Sequence, residues 1–187
     1  ALGVANGTDS LSMIMKAMNI GNGDEVITAP NSYISSASSI ANVGATPIFA
    51  DVREDMNLDP NEVKRRINER TKAVIAVHLT GRPADMDALR AVTKEHGLFL
   101  IEDAAQAIGA EYKGSKVGSL GDAGSFSLHP LKNLNIMGDG GLITTNDKSI
   151  YEFIKKLRNH GLFNRDTSEF WGLNSRLDTL QAEIAMH

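Results

Sequence analysis

Lys132 stands in a run whose residue types suit carbonyl chemistry. In Gly124-Ser125-Phe126-Ser127-Leu128-His129-Pro130-Leu131-Lys132-Asn133 an apolar strand emerges into a polar turn. A lysine amine condenses with carbonyls to give imines, and desolvation lowers its pKa enough to react. A lysine in a loop is ordinarily a solvated charge, and this one is among ten in the chain. Its company is what makes it a candidate. Ser127 offers a hydroxyl to a phosphate, Pro130 fixes the turn, and Gly138-Asp139-Gly140-Gly141 follows and leads into another strand.

Two further stretches supply matching partners. In Leu98-Phe99-Leu100-Ile101-Glu102-Asp103-Ala104-Ala105-Gln106 four apolar residues lead into an acidic pair. The C-terminal edge of a parallel sheet is where ligands bind in open α/β folds. A carboxylate buried there needs a cationic partner. The protonated ring nitrogen of pyridoxal 5′-phosphate (PLP) is such a partner, and an Asp that keeps it protonated lets the ring act as an electron sink. A solvent-facing acidic turn is the plain alternative. In Val4-Ala5-Asn6-Gly7-Thr8-Asp9-Ser10 a strand runs into Gly-Thr and a helix follows at once. Free N–H groups at a helix start bind phosphate, Gly7 allows close approach and Thr8 adds a hydroxyl. The same residues also suit a simple N-cap by Thr8 or Asp9. A phosphate anchor, a strand-end Asp and a turn Lys together form a constellation suited to PLP.

The elements that must position these groups alternate short apolar runs with amphipathic stretches. That pattern predicts an α/β fold with a largely parallel sheet of about seven strands between two helical layers. Strands are expected at Leu2–Ala5, Glu25–Thr28, Thr46–Ala50, Lys72–Val77, Leu98–Ile101, Ala123–Leu128 and Gly141–Thr145. Helices are expected at Asp9–Met18, Tyr33–Val43, Pro60–Ile67, Asp85–His96 and Asp147–His160, with another beginning in Leu177–His187. In Asp147–His160, Ile150, Phe153, Ile154 and Leu157 share one face. Gly161–Leu173 is polar and aromatic-containing and reads as a loop, suited to mobility or a subunit contact.

Composition narrows the function. The chain has 187 residues, 42 % of them hydrophobic, enough for one domain with a real core. A net charge of −4 gives no reason to expect nucleic acid or an anionic membrane as partner. With no cysteine, disulfides, thiolate metal sites and a Cys nucleophile are excluded, and no metal site is expected. No apolar run approaches the ~20 residues of a membrane span, and no signal peptide is visible at the N-terminus. A cytoplasmic enzyme is the expectation. Both ends look cut: a strand begins at the first residues, and the last helix stops without a stop signal.

Several stretches, in one order, closely resemble the DegT/StrS family of PLP-dependent sugar aminotransferases, of fold type I. They are Asn6-Gly7-Thr8-Asp9, Gly23-Asp24-Glu25-Val26-Ile27, Thr71-Lys72-Ala73 with Val77-His78-Leu79-Thr80-Gly81, Glu102-Asp103-Ala104-Ala105-Gln106-Ala107, Phe126-Ser127 with Lys132-Asn133, Gly138-Asp139-Gly140-Gly141, and Gly172-Leu173-Asn174-Ser175-Arg176. The similarity runs from Gly3 to about Ala185.

The resemblance implies roles residue by residue. Lys132 matches the lysine that holds PLP as a Schiff base, and Asp103 the partner of the ring nitrogen. Gly7, Thr8 and Ser127 match phosphate contacts. Tyr33 matches the aromatic that stacks on the ring, although by itself it reads as a helix-start aromatic. Gln106 matches the residue near the ring 3-hydroxyl, and His129 a position that lines the cofactor site. Asn174 matches a residue that reaches the phosphate of the neighbouring subunit's cofactor, which implies a homodimer with shared active sites. Arg176 is either a surface charge or a substrate contact. The implied reaction is a ping-pong transfer of an amino group from an amino acid, L-glutamate in the family, to a nucleotide-linked keto-deoxysugar. On this reading residues 1–176 form the PLP-binding large domain, with the family's N-terminal helix missing. Residues 177–187 begin the helix leading to a small domain that the chain lacks. Three rivals stay open. One is a PLP sugar dehydratase of the same fold, although that branch carries His where this chain has Lys132. Another is a non-catalytic relative or truncated fragment that only binds. The third is a P-loop nucleotide binder with Glu102 and Asp103 on magnesium, for which the G-x-x-x-x-G-K-[ST] loop is lacking.

Overall fold

The computed structural model describes all 187 residues. Seven strands form one sheet: β1 (Leu2–Val4), β2 (Glu25–Thr28), β3 (Thr46–Phe49), β4 (Thr71–Val77), β5 (Phe99–Asp103), β8 (Ala123–Ser127) and β9 (Gly141–Thr145). Between β5 and β8 a two-stranded hairpin, β6 (Glu111–Tyr112) and β7 (Ser115–Lys116), stands apart. The sheet order is β1-β9-β8-β5-β4-β2-β3. β3, β2, β4, β5 and β8 run parallel, and β9 is antiparallel to both β8 and β1. β1 therefore points the same way as β8. The residues following β1, β5 and β8 all leave the sheet at one edge.

The helices are α1 (Gly7–Ala17), α2 (Ser35–Asn42), α3 (Pro60–Arg66), α4 (Met86–His96), α5 (Lys148–Leu157) and α6 (Thr179–Met186). Strand alternation assigns them to layers. On β4, Ala73, Ile75 and Val77 join the core under α1, α2 and α5, with Leu11, Ile14, Ile40, Ile150 and Ile154. The intervening Val74 and Ala76 join the opposite core, with Val63 of α3 and Met86 and Leu89 of α4. A strand buried on both faces reads as a continuous apolar run, and β4 does so because helices cover both sides. Each fully buried aliphatic side chain contributes roughly 1.5–3 kcal/mol. The architecture is the expected α/β/α sandwich with a mostly parallel seven-stranded sheet.

Some boundaries differ from the pattern-based expectation. α1 starts two residues earlier than expected, because Asn6 rather than Thr8 or Asp9 caps it. α2 starts at Ser35, so Tyr33 precedes the helix. β5 continues to Asp103, which puts the acidic pair on the strand itself. α5 ends at Leu157, before the positive-φ pair His160 (φ 60°) and Gly161 (φ 71°) turns the chain. The loop after it folds back on itself. Phe163 N–H donates to Thr167 O at 2.9 Å, and Phe170 stacks on Phe153 of α5 with centroids 4.9 Å apart. No helix is long and apolar enough to cross a membrane.

Candidate active site

At the edge where β1, β5 and β8 end, a cavity of about 580 Å³ opens. That is the size range of small-molecule sites. Gly7, Thr8, Tyr33, Asp103, Gln106, Ser127, His129 and Lys132 all line it, gathered from segments up to 125 residues apart in the chain. Asn174 and Arg176 do not line it. Both are exposed on the segment after α5, where Arg176 Nη1 donates to Asn159 Oδ1 at 3.1 Å. Asn6, Asp9 and Asp139, which stand in the motif stretches without an assigned binding role, also line it, as do Ser32, Ser35 and Ser36, which stand in none.

One end of the cavity is the start of α1, a place whose free N–H groups suit an anion. Asn6 Oδ1 accepts the Asp9 N–H at 2.7 Å, and Asn6 O accepts the Ser10 N–H at 3.1 Å. Gly7 and Thr8 then sit in the first turn, where N–H groups lack intrahelical acceptors and the helix dipole favours an anion. Thr8 Oγ1 hydrogen-bonds Ser35 Oγ at 2.8 Å, which joins the starts of α1 and α2. Close packing explains the glycines. A Cβ on Gly7 would lie 3.0 Å from Ser127 Cβ, and one on Gly141 would lie 2.5 Å from Asn6 O. Below this turn Ser10 and Ser125 hydrogen-bond each other, and Ser10 Oγ donates to Gly7 O at 2.7 Å.

The acidic pair splits because successive strand residues face opposite sides. Asp103 shares the parity of Ile101 and faces the α1/α2 layer, 6 % exposed. Its Oδ2 accepts from Ser36 Oγ at 2.7 Å and its Oδ1 from the Ala105 N–H at 3.2 Å. No Lys, Arg or His pairs with it. Glu102 faces the other layer and is fully buried. It accepts from His78 Nε2 at 3.0 Å, from the Gly118 and Leu120 N–H groups at 2.7 Å each, and from the Gly121 N–H at 2.5 Å. His78 Nδ1 accepts the Ala84 N–H at 3.1 Å, which assigns the ring proton to Nε2. Burial by itself would raise the Glu102 carboxyl. The hydrogen bonds from His78, Gly121 and Gly118 outweigh it and hold the group below the ordinary carboxylate range.

Gln106 lies on the turn after β5. Its Oε1 accepts the N–H of Thr80, a residue at positive φ (54°), at 2.7 Å, so its amide NH₂ remains to donate. Across the cavity, Lys132 N–H donates to His129 O at 2.8 Å, and Lys132 Nζ sits 6.0 Å from the centre of the Tyr33 ring. Lys132 has no carboxylate partner. A primary amine without a carboxylate partner, an aromatic ring, a buried carboxylate without a cation and a helix start suited to an anion all line one space. This donor set fits a flat, phosphorylated carbonyl compound with a basic ring nitrogen, and PLP meets each requirement.

A family model described as the DegT/DnrJ/EryC1/StrS aminotransferase family matches residues 1–187. The chain belongs to that family. It is 48 % identical over 184 residues to the dTDP-3-amino-3,6-dideoxy-alpha-D-galactopyranose transaminase of Aneurinibacillus thermoaerophilus, covering 98 % of this chain and 51 % of that one. Its fold superposes on the crystal structure of Streptomyces venezuelae DesV in complex with a ketimine intermediate. The TM-score is 0.96 at 44 % identity, over 99 % of this chain and 50 % of DesV. It also superposes on NtdA of Bacillus subtilis with bound cofactor PMP, with a TM-score of 0.93 at 29 % identity, over 99 % of this chain and 42 % of that one. The chain thus spans about half the length of the relatives it matches. DegT-family aminotransferases depend on PLP, in keeping with the donor set above.

Proposed function

We propose that this chain carries the PLP-binding half of a sugar aminotransferase, with Lys132 as the lysine that holds the cofactor. The observation that carries this reading is the convergence of Lys132, Asp103 and the Gly7–Thr8 helix start on one cavity. When bound, PLP supplies an aldehyde that condenses with amines and a ring that takes up the electron pair of a broken C–H bond. Lys132 Nζ would hold the cofactor through that aldehyde, with water as the leaving group. Once free, Lys132 Nζ would be the base that takes the proton from the donor's Cα and the acid that gives it back. Asp103, with Ser36 and Ala105 fixing its two oxygens, keeps the ring nitrogen protonated.

The N–H groups of Gly7 and Thr8, with the Thr8 and Ser127 hydroxyls, hold the phosphate. Tyr33 covers one face of the ring, Gln106 donates to the 3-hydroxyl, and His129 lines the site beside Lys132. The amino donor is an amino acid, L-glutamate on the family resemblance. The acceptor is a nucleotide-linked keto-deoxysugar, consistent with the sugar-transaminase names of relatives 44–48 % identical to this chain. The enzyme acts in the cytoplasm as a homodimer whose sites are shared. Asn174, exposed and outside its own cavity, serves the phosphate of the neighbour's cofactor, and Arg176 beside it meets the substrate there. Residues 1–176 form the cofactor-binding unit, and the helix beginning after Leu177 leads out of it. The test is an absorbance titration with PLP followed by borohydride reduction and peptide mass spectrometry. A stable adduct on Lys132 is expected. An imine band trapped on another lysine, or none, overturns the reading.

A further inference from the structure

Ser175 is 1 % exposed, and its hydroxyl is used in both directions. It accepts the Ala5 N–H at 3.1 Å and donates to Asp9 Oδ2 at 2.6 Å. These two partners bracket Gly7 and Thr8. Its own N–H donates to Arg158 O at 2.9 Å, and Leu173 N–H donates to Leu157 O at 2.6 Å, which lays residues 173–175 along the end of α5. Around it the same segment is clamped to β1. The Arg158 guanidinium donates to Gly3 O, and Leu177 packs so tightly on Gly3 that a Cβ there would lie 2.8 Å from Leu177 Cβ. The residue immediately before this anchor is the exposed Asn174.

We propose that Ser175 is a positioning residue that couples the two cofactor sites of a dimer. One hydroxyl braces the Ala5–Asp9 turn that holds the phosphate of its own chain's cofactor, and it also sets the outward reach of Asn174 toward the neighbour's phosphate. The inference rests on the shared-site reading given under Proposed function. Ordering either end orders the other, because the two hydrogen bonds of the Ser175 hydroxyl tie them together. A bound phosphate at Gly7–Thr8 that stiffens the turn also stiffens Asn174, so binding at one site favours binding at the other.

A double-mutant cycle on the dimeric protein, read as the apparent Kd for PLP, tests this. Ser175→Ala is expected to raise Kd about tenfold, the scale of one lost net hydrogen-bond contribution. In the Asn174→Ala background the same change is expected to raise it about threefold or less, since part of its effect travels through Asn174. A Kd within about twofold of wild type for Ser175→Ala, or the same fold-loss in both backgrounds, overturns the proposal. Should Ser175→Ala fail to fold, Asp9→Ala removes the acceptor instead, and amide exchange replaces affinity as the readout. PLP is expected to slow exchange at residues 174–176 in wild type and to slow it less in Asp9→Ala. Equal protection in the two proteins overturns the coupling. Wild-type protein that forms no borohydride adduct on Lys132 fails the functional reading itself. A labelled Lys132 with additive Ser175 and Asn174 effects fails only the coupling.

Discussion

Ser36 and Asp103 meet at the cavity wall, the Ser36 hydroxyl of α2 donating to Asp103 Oδ2 at 2.7 Å across 67 residues of chain. With the Ala105 N–H on Oδ1, both oxygens are held, yet no protein cation neutralises them. A carboxylate that is buried, oriented and left without a cation is poised for a charged ligand atom. Replacing Asp103 by Asn keeps the shape and removes the charge. Transamination is expected to fall at least a hundredfold, about 2.7 kcal/mol in barrier, with the melting temperature little changed. Near-normal kcat in Asp103→Asn would remove Asp103 from its assigned role. Ser36→Ala should cost less, because the Ala105 N–H still orients the carboxylate.

Lys132 is partly exposed and has no ion-pair partner. Its nearest charge-related contact is the Tyr33 ring at 6.0 Å, a weak cation–π distance. Lys132→Ala should therefore abolish turnover and the PLP imine band while changing stability by no more than about 0.5 kcal/mol. Urea denaturation alongside the activity assay separates the two effects. Loss of fold in Lys132→Ala would mean that the side chain is structural.

Much of this arrangement is legible in the chain, and the exceptions share a cause. The apolar run of β4 marks a strand covered on both faces, and the order of Gly7, Asp103 and Lys132 marks one sheet edge. Parity along β5 separates the roles of Glu102 and Asp103 only once the strand is known to include both. Ser36 lies in no motif, and Ser175 and His78 lie in motif stretches without an assigned role, because their partners are 67, 166 and 24 residues away. Serine carries no periodic signal of such a partner. The β6–β7 hairpin was likewise missed. Its strands are two residues each and mostly exposed, so no alternation marks them. Its one signal is Lys113-Gly114, whose φ values of 50° and 82° suit the tight hairpin turn that glycine favours.

Glu102 makes the fold sensitive to acid. Its folded carboxyl lies below the ordinary range because the donors from His78, Gly121 and Gly118 outweigh its burial. A depressed carboxyl contributes stability that is fully present above its unfolded pKa and is lost as pH falls through the folded one. Stability should thus decline on acidification through and below the usual carboxylate range, as bound protons favour the unfolded chain. Glu102→Gln should lose about 3 kcal/mol at neutral pH, since an amide cannot accept all four donors. The variant's stability should also fall less steeply with acid. Parallel pH–stability curves for variant and wild type would show that Glu102 is not the group responsible.

Gly7 lies where β8 and α1 come together, with Ser127 Cβ 3.0 Å from any Cβ placed on it. Gly7→Ala should push Ser127 or the helix start aside and raise the apparent Kd for PLP roughly tenfold, equivalent to about 1.4 kcal/mol. Helix stability should barely change, because alanine is at least as good a helix former. Inorganic phosphate offered as a competitor should lose affinity in parallel with PLP. Unchanged phosphate competition would place the anion elsewhere in the cavity.

Asn174 tests whether the site is shared. It is exposed, lies outside its own chain's cavity and is carried on the segment that Ser175 pins to α1. In a homodimer with exchanged residues, a Lys132→Ala chain still lends its Asn174 to the partner, and an Asn174→Ala chain still keeps its own Lys132. The two variants should each be nearly inactive by themselves. After unfolding and refolding together in equal amounts, half of the dimers are hybrids and one of their two sites is whole. Activity should then return to about a quarter of the wild-type level. The recovery should require subunit exchange, so mixing the folded dimers without it should give none. A mixture that stays as inactive as its parts would place Asn174 within its own chain's chemistry, and an Asn174→Ala protein that is active alone would place it outside the site altogether.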